Sequence, residues 1–187
     1  MHIYDDVVDK CHLEDLYKTL TQRNGWYLSR SSNKDQKGKD CGFPGFFVSP
    51  LDPLFPRFLD ILDRLRRLHH DRTNEEMPSH VHRLDVVAKQ PNVKTRFHHD
   101  VLPKNDPDEE AYTIVGMLTP EWDKSWGGDF VVEKPVGCSS IHKIVTYKPG
   151  RFIIIKSTQR HNGMGPNQII PYWRMVVNYV LKEPREC

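Results

Sequence analysis

The stretch that decides the fold is Thr-Arg-Phe-His-His-Asp, at residues 95–100. In a β-strand, side chains two residues apart point to the same side, so His98 and Asp100 face one way and His99 the other. A histidine and a carboxylate on one face can share a metal ion. We therefore expect His98 and Asp100 to be metal ligands and His99 to have a supporting or packing role.

A third candidate ligand, His161, lies far downstream, after the apolar run at residues 152–155. Two neutral imidazoles and one carboxylate on one face of a metal leave the opposite face open, as in non-haem iron sites. An HxD pair alone is a weak signal in a chain with ten histidines. A different site around His80, His82 and Asp85 therefore stays open.

The composition is that of an ordinary globular chain with little net charge. Its 187 residues and 21.9 kDa favour one core, so we expect a single domain over 1–187. Within it, residues 1–79 are expected to provide helical support and a lid, and residues 80–187 the barrel core. With 27 basic and 25 acidic residues and a net charge of +2, we expect no nucleic-acid or membrane partner.

The four cysteines lie far apart and form no CxxC pair: Cys11, Cys41, Cys138 and Cys187. The sequence has neither a signal-like N-terminus nor an apolar run near the length of a membrane span. These features predict a reduced protein in the cytoplasm.

The first part of the chain favours helices. After an extended segment at 3–8, an apolar stripe predicts a helix at about 12–23. A second helix is expected to begin within the proline-rich stretch 52–56, because proline suits a first helical turn. Between them, residues 31–45 are polar and predict a loop, a candidate lid.

The second part favours strands. Short runs bounded by turn residues predict about eight strands: 84–88, 95–99, 112–118, 130–133, 143–147, 152–156, 173–181 and one near His161. Turn signals such as Gly127-Gly128, where glycines allow unusual backbone torsions, separate them at intervals too short for helices. The expected result is a mainly β protein with N-terminal supporting helices, in an antiparallel sandwich or barrel.

The ordered set of motifs resembles the 2-oxoglutarate and Fe(II)-dependent dioxygenases, particularly their prolyl-hydroxylase-like branch. The resembling residues are His98-x-Asp100, Met117 to Trp122, Trp126 to Phe130, Pro149 to Ile154, His161 before Asn162-Gly163, and Arg174. They span roughly half of the chain. Each piece is common, and their order is specific.

The resemblance implies a double-stranded β-helix, a jelly-roll or cupin-like barrel. It also implies iron bound by His98, Asp100 and His161, and Arg174 holding the distal carboxylate of 2-oxoglutarate. Fe(II), 2-oxoglutarate as cosubstrate and dioxygen are the expected cofactors, with ascorbate an additional candidate. A carboxylate at Asp100 argues for hydroxylation rather than halogenation, and desaturation or cyclisation would use the same metal set.

The sequence departs from the family pattern at two positions. Some relatives carry a tyrosine that touches the cosubstrate where this chain has Val115-Gly116-Met117, so Tyr112 or Thr113 is the expected substitute. A serine that often follows the arginine is replaced by Val176.

Three functions follow as hypotheses. The first is hydroxylation of a prolyl or other side chain in a protein or peptide. The second is hydroxylation of a free amino acid or another small metabolite, and the third is a noncatalytic metal-binding barrel. Loops at 31–45, 102–111 and 134–141 are expected to select the substrate.

Overall fold

The computed structural model describes residues 1–29, 43–91, 96–101, 110–133 and 141–184. Within these ranges the chain forms two α-helices and ten strands, in the order β1 (His2–Tyr4), α1 (Lys10–Gln22), β2 (Tyr27–Ser29), β3 (Phe43–Phe47), α2 (Phe55–Thr73), β4 (Val81–Lys89), β5 (Ala111–Met117), β6 (Phe130–Glu133), β7 (Ile141–Val145), β8 (Phe152–Lys156), β9 (His161–Gly163) and β10 (Arg174–Lys182). A short 3-10 helix, Lys124–Trp126, precedes β6.

The strands form two antiparallel sheets. The large sheet has the order β1-β8-β5-β10-β4-β3-β2, and the small sheet has the order β7-β6-β9. A bridge between His98 and His161 adds the HxD segment beside β9. The sheets enclose one apolar cluster, which includes Val115 and Ile153 from the large sheet and Phe130 and Val145 from the small one. This arrangement confirms the predicted double-stranded β-helix.

Both helices lie on the outer face of the large sheet. Helix α1 buries Leu13, Leu16 and Leu20, and Asp9 caps its start by accepting a hydrogen bond from the His12 backbone N–H, 3.0 Å away. Helix α2 ends at Thr73 and is capped by Asn74, whose φ of 56° is left-handed. The large sheet is thus covered on both faces, which explains why every residue of β5 and most of β10 are buried.

The N-terminal part also contributes strands, which corrects the sequence prediction in detail. Strand β1 pairs with β8, and β3 pairs with β4. Residues 43–45, assigned to the lid loop from their polar neighbours, therefore belong to a strand. Pairing with a distant strand edge is not visible in local composition. Within the described residues, no helix has the length and apolar character needed to cross a membrane.

Candidate metal centre

The fold brings His98, Asp100 and His161 together inside the barrel. One possible ligand atom from each side chain lies within 4.8 Å of the others, and the described residues contain no other such group. The His98 and His161 ring centroids are 4.5 Å apart, and the His161 Nε2 atom lies 3.3 Å from Asp100 Oδ2. These are the three residues that the sequence predicts as metal ligands.

Backbone pairing sets this geometry. The backbone N–H of His98 donates to the carbonyl of His161, and the N–H of His161 donates back to the carbonyl of His98, both at 3.0 Å. The Asp100 N–H donates to the Ser157 carbonyl at 3.1 Å. His99 is not in the ligand group, and its Nδ1 lies 2.6 Å from the Thr158 carbonyl oxygen. Of the described residues in the predicted strand 95–99, only His98 forms a bridge, so the structure replaces that strand with a bridged extended segment in which the two neighbouring histidines contact different groups.

Both candidate histidine ligands have one ring nitrogen occupied by a carbonyl. The Nδ1 atom of His98 is 3.1 Å from the Arg96 carbonyl oxygen, and that of His161 is 2.9 Å from the Gln159 oxygen. Because a carbonyl only accepts, each Nδ1 donates to it, and Nε2 is the ring nitrogen that faces the ligand group. Burial, and then the neighbouring His161, lowers the pKa of His98, which favours the neutral imidazole.

Asp100 is held by two groups that sequence reasoning did not assign to this role. Arg83 forms an ion pair with its Oδ1, and the Thr113 hydroxyl donates to its Oδ2 at 2.7 Å. Burial opposes ionisation of Asp100, but His161, Arg83 and Thr113 outweigh it and hold its pKa well below the usual range. Asp100 is therefore a carboxylate at neutral pH.

Arg174 lies at the start of β10 and is only 1% exposed. Its Nε donates to the Gly128 carbonyl at 2.7 Å, while Nη1 and Nη2 are buried with no hydrogen-bond partner among the described residues. Burial lowers its pKa to about 10, and Tyr147 and Asp129 partly oppose this shift. The guanidinium remains charged at neutral pH and has two donors available for an anion.

Aromatic side chains pack near the Arg174 guanidinium. The Tyr147 ring centroid is 5.0 Å from the guanidinium carbon and 4.3 Å from the Trp122 ring. The Tyr147 hydroxyl donates to the Met175 carbonyl at 2.6 Å. Sequence reasoning did not single out Tyr147, which ended a predicted strand without any motif.

Gly128 fits closely between Trp122 and Arg174. A Cβ at this position would lie 2.9 Å from Trp122 Cζ2 and 3.0 Å from Arg174 Cδ, and the φ of Gly128 is +80°. The Trp122 indole N–H donates to the Gly127 carbonyl at 2.9 Å. The predicted glycine turn therefore has a second role, because it lets the backbone approach the arginine.

The two candidate substitutes for the missing tyrosine lie on opposite faces of β5. Tyr112 packs in the cluster beneath the helices, and its hydroxyl accepts from Lys156 at 2.9 Å. Thr113 faces the barrel but contacts Asp100 and Ser157. Alternation along the strand turns Tyr112 away from the candidate centre and places Thr113 beside a candidate metal ligand.

The alternative site around His80 is not formed. His80 and His82 are exposed, and Asp85 instead lies 3.0 Å from Arg83 Nε and accepts from Asn178 at 2.8 Å. The loops expected to select the substrate fall largely outside the described residues.

Known structures with the same architecture cover nearly the whole chain. A prolyl-4-hydroxylase from Pseudomonas putida matches with a TM-score of 0.68 and 12% identity, over 98% of this chain and 92% of that one. A prolyl hydroxylase from Trichoplax adhaerens, in complex with a hypoxia inducible factor oxygen degradation domain peptide fragment, matches with a TM-score of 0.66 and 13% identity, over 97% and 82%. The chain has the prolyl-hydroxylase fold.

The prolyl-hydroxylase fold is shared with another kind of enzyme. A non-haem α-ketoglutarate-dependent carbocyclase from nogalamycin biosynthesis matches with a TM-score of 0.65 and 13% identity, over 97% of this chain and 78% of that one. No family model matches the sequence, and no similar curated protein is found. At these identities the likeness establishes the fold, and it confirms the resemblance named from the sequence at that level.

Proposed function

We propose that this protein is an Fe(II)- and 2-oxoglutarate-dependent dioxygenase that hydroxylates a prolyl or other amino-acid side chain in a protein or peptide. The observation that carries the reaction class is the meeting of His98, Asp100 and His161 within 4.8 Å. Two imidazoles and one carboxylate suit Fe(II) and leave positions open for a cosubstrate and dioxygen.

Arg174 supports 2-oxoglutarate as the cosubstrate. Its two unpartnered terminal nitrogens can donate parallel hydrogen bonds to the distal carboxylate. Burying a guanidinium without an anion is costly, and a bound dicarboxylate would offset that cost. The donor set and the arginine therefore fit the iron and the cosubstrate together.

Each surrounding residue has a defined task in this proposal. Bound iron, with 2-oxoglutarate and dioxygen, supplies the oxidation of an unactivated carbon. Arg83 and Thr113 keep Asp100 ionised and oriented, and Arg174 orients the cosubstrate. Phe130, whose ring stacks 5.4 Å from that of His161, helps to exclude water from the centre. Ascorbate remains an additional candidate as an auxiliary reductant.

A peptide substrate is supported by the Trichoplax relative, which has the same fold and is in complex with a peptide fragment. Oxidation of a small molecule is the second candidate, because the carbocyclase from nogalamycin biosynthesis has this fold to a similar TM-score. The two candidates differ in the substrate and share the metal centre.

The test of the reaction class is an anaerobic titration of the iron-loaded protein with 2-oxoglutarate. We expect a weak visible charge-transfer band, because a 2-oxo acid that chelates Fe(II) absorbs in this way. The variants His98→Ala and His161→Ala should lose the band while their circular dichroism is unchanged.

The matched control is His99→Ala, which removes the neighbouring imidazole that is outside the ligand group. It should keep the band. Absence of the band in folded, iron-loaded wild-type protein would contradict the proposal, and so would its persistence in His161→Ala.

A second assay separates the substrate classes. Prolyl peptides and free amino acids are each incubated with the enzyme, and succinate release and gain of one oxygen atom by the substrate are measured. Oxygen gain on a peptide supports the first candidate, whereas gain on free amino acids alone supports the second. A protein that binds 2-oxoglutarate but never forms succinate would be the noncatalytic barrel.

A further inference from the structure

His69 is a fully buried histidine on the far side of the large sheet from the candidate metal centre. It lies near the end of helix α2 and has no exposed surface. The Tyr4 hydroxyl is 2.9 Å from its Nδ1, whereas Nε2 makes no hydrogen bond to any described residue. A buried polar atom without a partner is costly, and such an atom can mark the place of an ion or a water molecule.

Two other potential metal ligands lie next to His69. The Glu75 Oε2 atom is 3.7 Å from its Nε2, and the ring of His2, on β1, packs edge-on against its ring with centroids 4.9 Å apart. Metal–ligand distances of about 2.0–2.1 Å place two ligand atoms of a tetrahedral zinc ion about 3.4 Å apart. The separation between His69 and Glu75 is too long for a hydrogen bond and close to this value.

A cavity adjoins these side chains and is suited to a cation. His2 and Glu75 line this cavity, whose volume is about 510 Å³, so an ion beside His69 would have space for water ligands. Glu76 and Glu110 line it as well, and Lys156 pairs with Glu110 at 3.1 Å. Three carboxylates against one lysine among the lining side chains favour a positively charged occupant.

The two imidazoles are in the protonation state that a metal requires. Burial, and then the neighbouring His2, lowers the pKa of His69, and Glu75 only partly opposes this shift. Burial is also the largest cause of the lowered pKa of His2. Because metals bind neutral imidazole, protons compete little for these two side chains at neutral pH.

We propose that His2, His69 and Glu75 bind a divalent transition metal ion such as Zn(II), with water from the cavity completing its coordination. The three ligand atoms do not all lie within 4.8 Å of one another, so binding requires a side-chain rotation. Glu75, whose side chain is 57% exposed, has the space for it. Imidazole ligands favour Zn(II) over Mn(II). The ion would fasten β1 to the segment after α2, and the site is independent of the proposed function.

The competing role for His69 is packing. Its contact with Tyr4 could serve only to hold β1 against α2, with Glu75 as a surface ion pair. In that case, replacing His2 or Glu75 would change stability alone, and no metal would bind here.

The experiment counts the Zn(II) ions bound by each chain, in calorimetric titrations of metal-free protein without an affinity tag. Wild type should bind two equivalents, and His161→Ala, which disrupts the candidate metal centre, should keep one. Adding His2→Ala or Glu75→Ala to His161→Ala should abolish this remaining equivalent. Neither side chain is fully buried, so these variants should fold, and circular dichroism checks that they do.

His70→Ala in the His161→Ala protein is the matched control. His70 is the neighbouring histidine and lies 3.3 Å from Glu76, outside the proposed ligand set. This variant should keep the equivalent. Absence of Zn(II) binding in His161→Ala, or its persistence after His2→Ala and Glu75→Ala are added, would overturn the inference. Binding of one equivalent by wild type that requires His2 but not His161 would support the inference and contradict the candidate metal centre.

Discussion

Asp100 is the residue on which the contacts of the candidate metal centre converge. It accepts from Thr113, pairs with Arg83 and lies beside His161. Removal of a group that orients a metal ligand typically lowers metal affinity by about 10–100-fold. The HxD spacing predicted Asp100 as a ligand. Only the folded chain showed that Arg83 and Thr113 contact its carboxylate.

Thr113→Val tests the support of Asp100. The substitution keeps the shape of the side chain and removes the hydroxyl that donates to Oδ2 at 2.7 Å. We expect metal affinity to fall by about 10–100-fold, as for other groups that orient ligands. Competition with a fluorescent chelator measures the affinity. Thr146→Val, at an exposed position, is the control, and an unchanged affinity in Thr113→Val would show that Arg83 suffices.

Gly128→Ala tests the close approach of the turn to Arg174. The added Cβ would lie closer to Trp122 and Arg174 than an ordinary van der Waals contact. We therefore expect a loss of about 1–3 kcal/mol in unfolding free energy. We also expect weaker 2-oxoglutarate binding, because the guanidinium must shift. Urea unfolding and calorimetric titration measure the two effects.

Gly25→Ala is the matched control for this variant. Gly25 also has a positive φ, +93°, but nothing lies within 4 Å of its added Cβ. It should therefore show backbone strain without any change in 2-oxoglutarate affinity. If Gly128→Ala behaved like Gly25→Ala, the contact with Arg174 would have no role in binding.

Side chains of strand β4 alternate between the face beneath the helices and the face that lines the barrel. Leu84, Val86 and Ala88 belong to the cluster beneath the helices, so the intervening Arg83 and Lys89 face the barrel. The sequence carries this signal as the polar residues Arg83, Asp85 and Lys89, which share one face of the strand with Val87. It went unused because the run 84–88 was interpreted only as an apolar strand.

An ion pair joins Arg23, which caps the end of α1, to Asp52 in the segment before α2, and its strength depends on pH. Arg23 donates to both Asp52 oxygens, at 2.9 and 2.5 Å, and Leu54 N–H donates to Oδ1 at 2.9 Å. The hydrogen bonds from Arg23 hold the pKa of Asp52 below its usual value, and burial partly opposes them. The carboxylate form is thus favoured in the folded state.

A lowered folded-state pKa gives stability that is present above the unfolded pKa of about 4 and is lost as the pH falls through the folded value. Asp52→Asn should therefore reduce the unfolding free energy at neutral pH, and the difference from wild type should shrink in acid. Urea unfolding across this range measures it. Asp63→Asn, in an exposed pair with Arg66, should have little effect. An equal loss at every pH would contradict the prediction.

In the whole molecule, the two faces of the large sheet have different roles: one packs against the helices and the other faces the candidate site. Its outer face carries the helices, and its inner face contributes Arg83, Thr113 and Arg174 to the site. The small sheet adds His161, and the segment beside it adds His98. A metal bound by His98, Asp100 and His161 would therefore link two sheets that share an apolar core.

This linkage predicts that a divalent metal stabilises the folded chain. At a hundredfold excess over its dissociation constant, Mn(II) should add about 2.7 kcal/mol to the unfolding free energy. Chemical denaturation with and without a chelator measures the gain. His161→Ala should lose it and His82→Ala, at an exposed histidine, should keep it. A gain that survives in His161→Ala would place the metal elsewhere.

The sequence by itself determined the strand periods, the glycine turns and the ordered motifs, and so predicted the fold and the three candidate ligands. These are local properties, because side-chain direction alternates along a strand whatever its partners are. Only the tertiary structure decided which distant side chains meet: that Arg83 and Thr113 hold Asp100, that Tyr112 faces the helices, and that Lys89 lies opposite Arg174. The physical reason is that strand pairing and register depend on the whole apolar core, so the contacts across strands cannot be derived from any one segment.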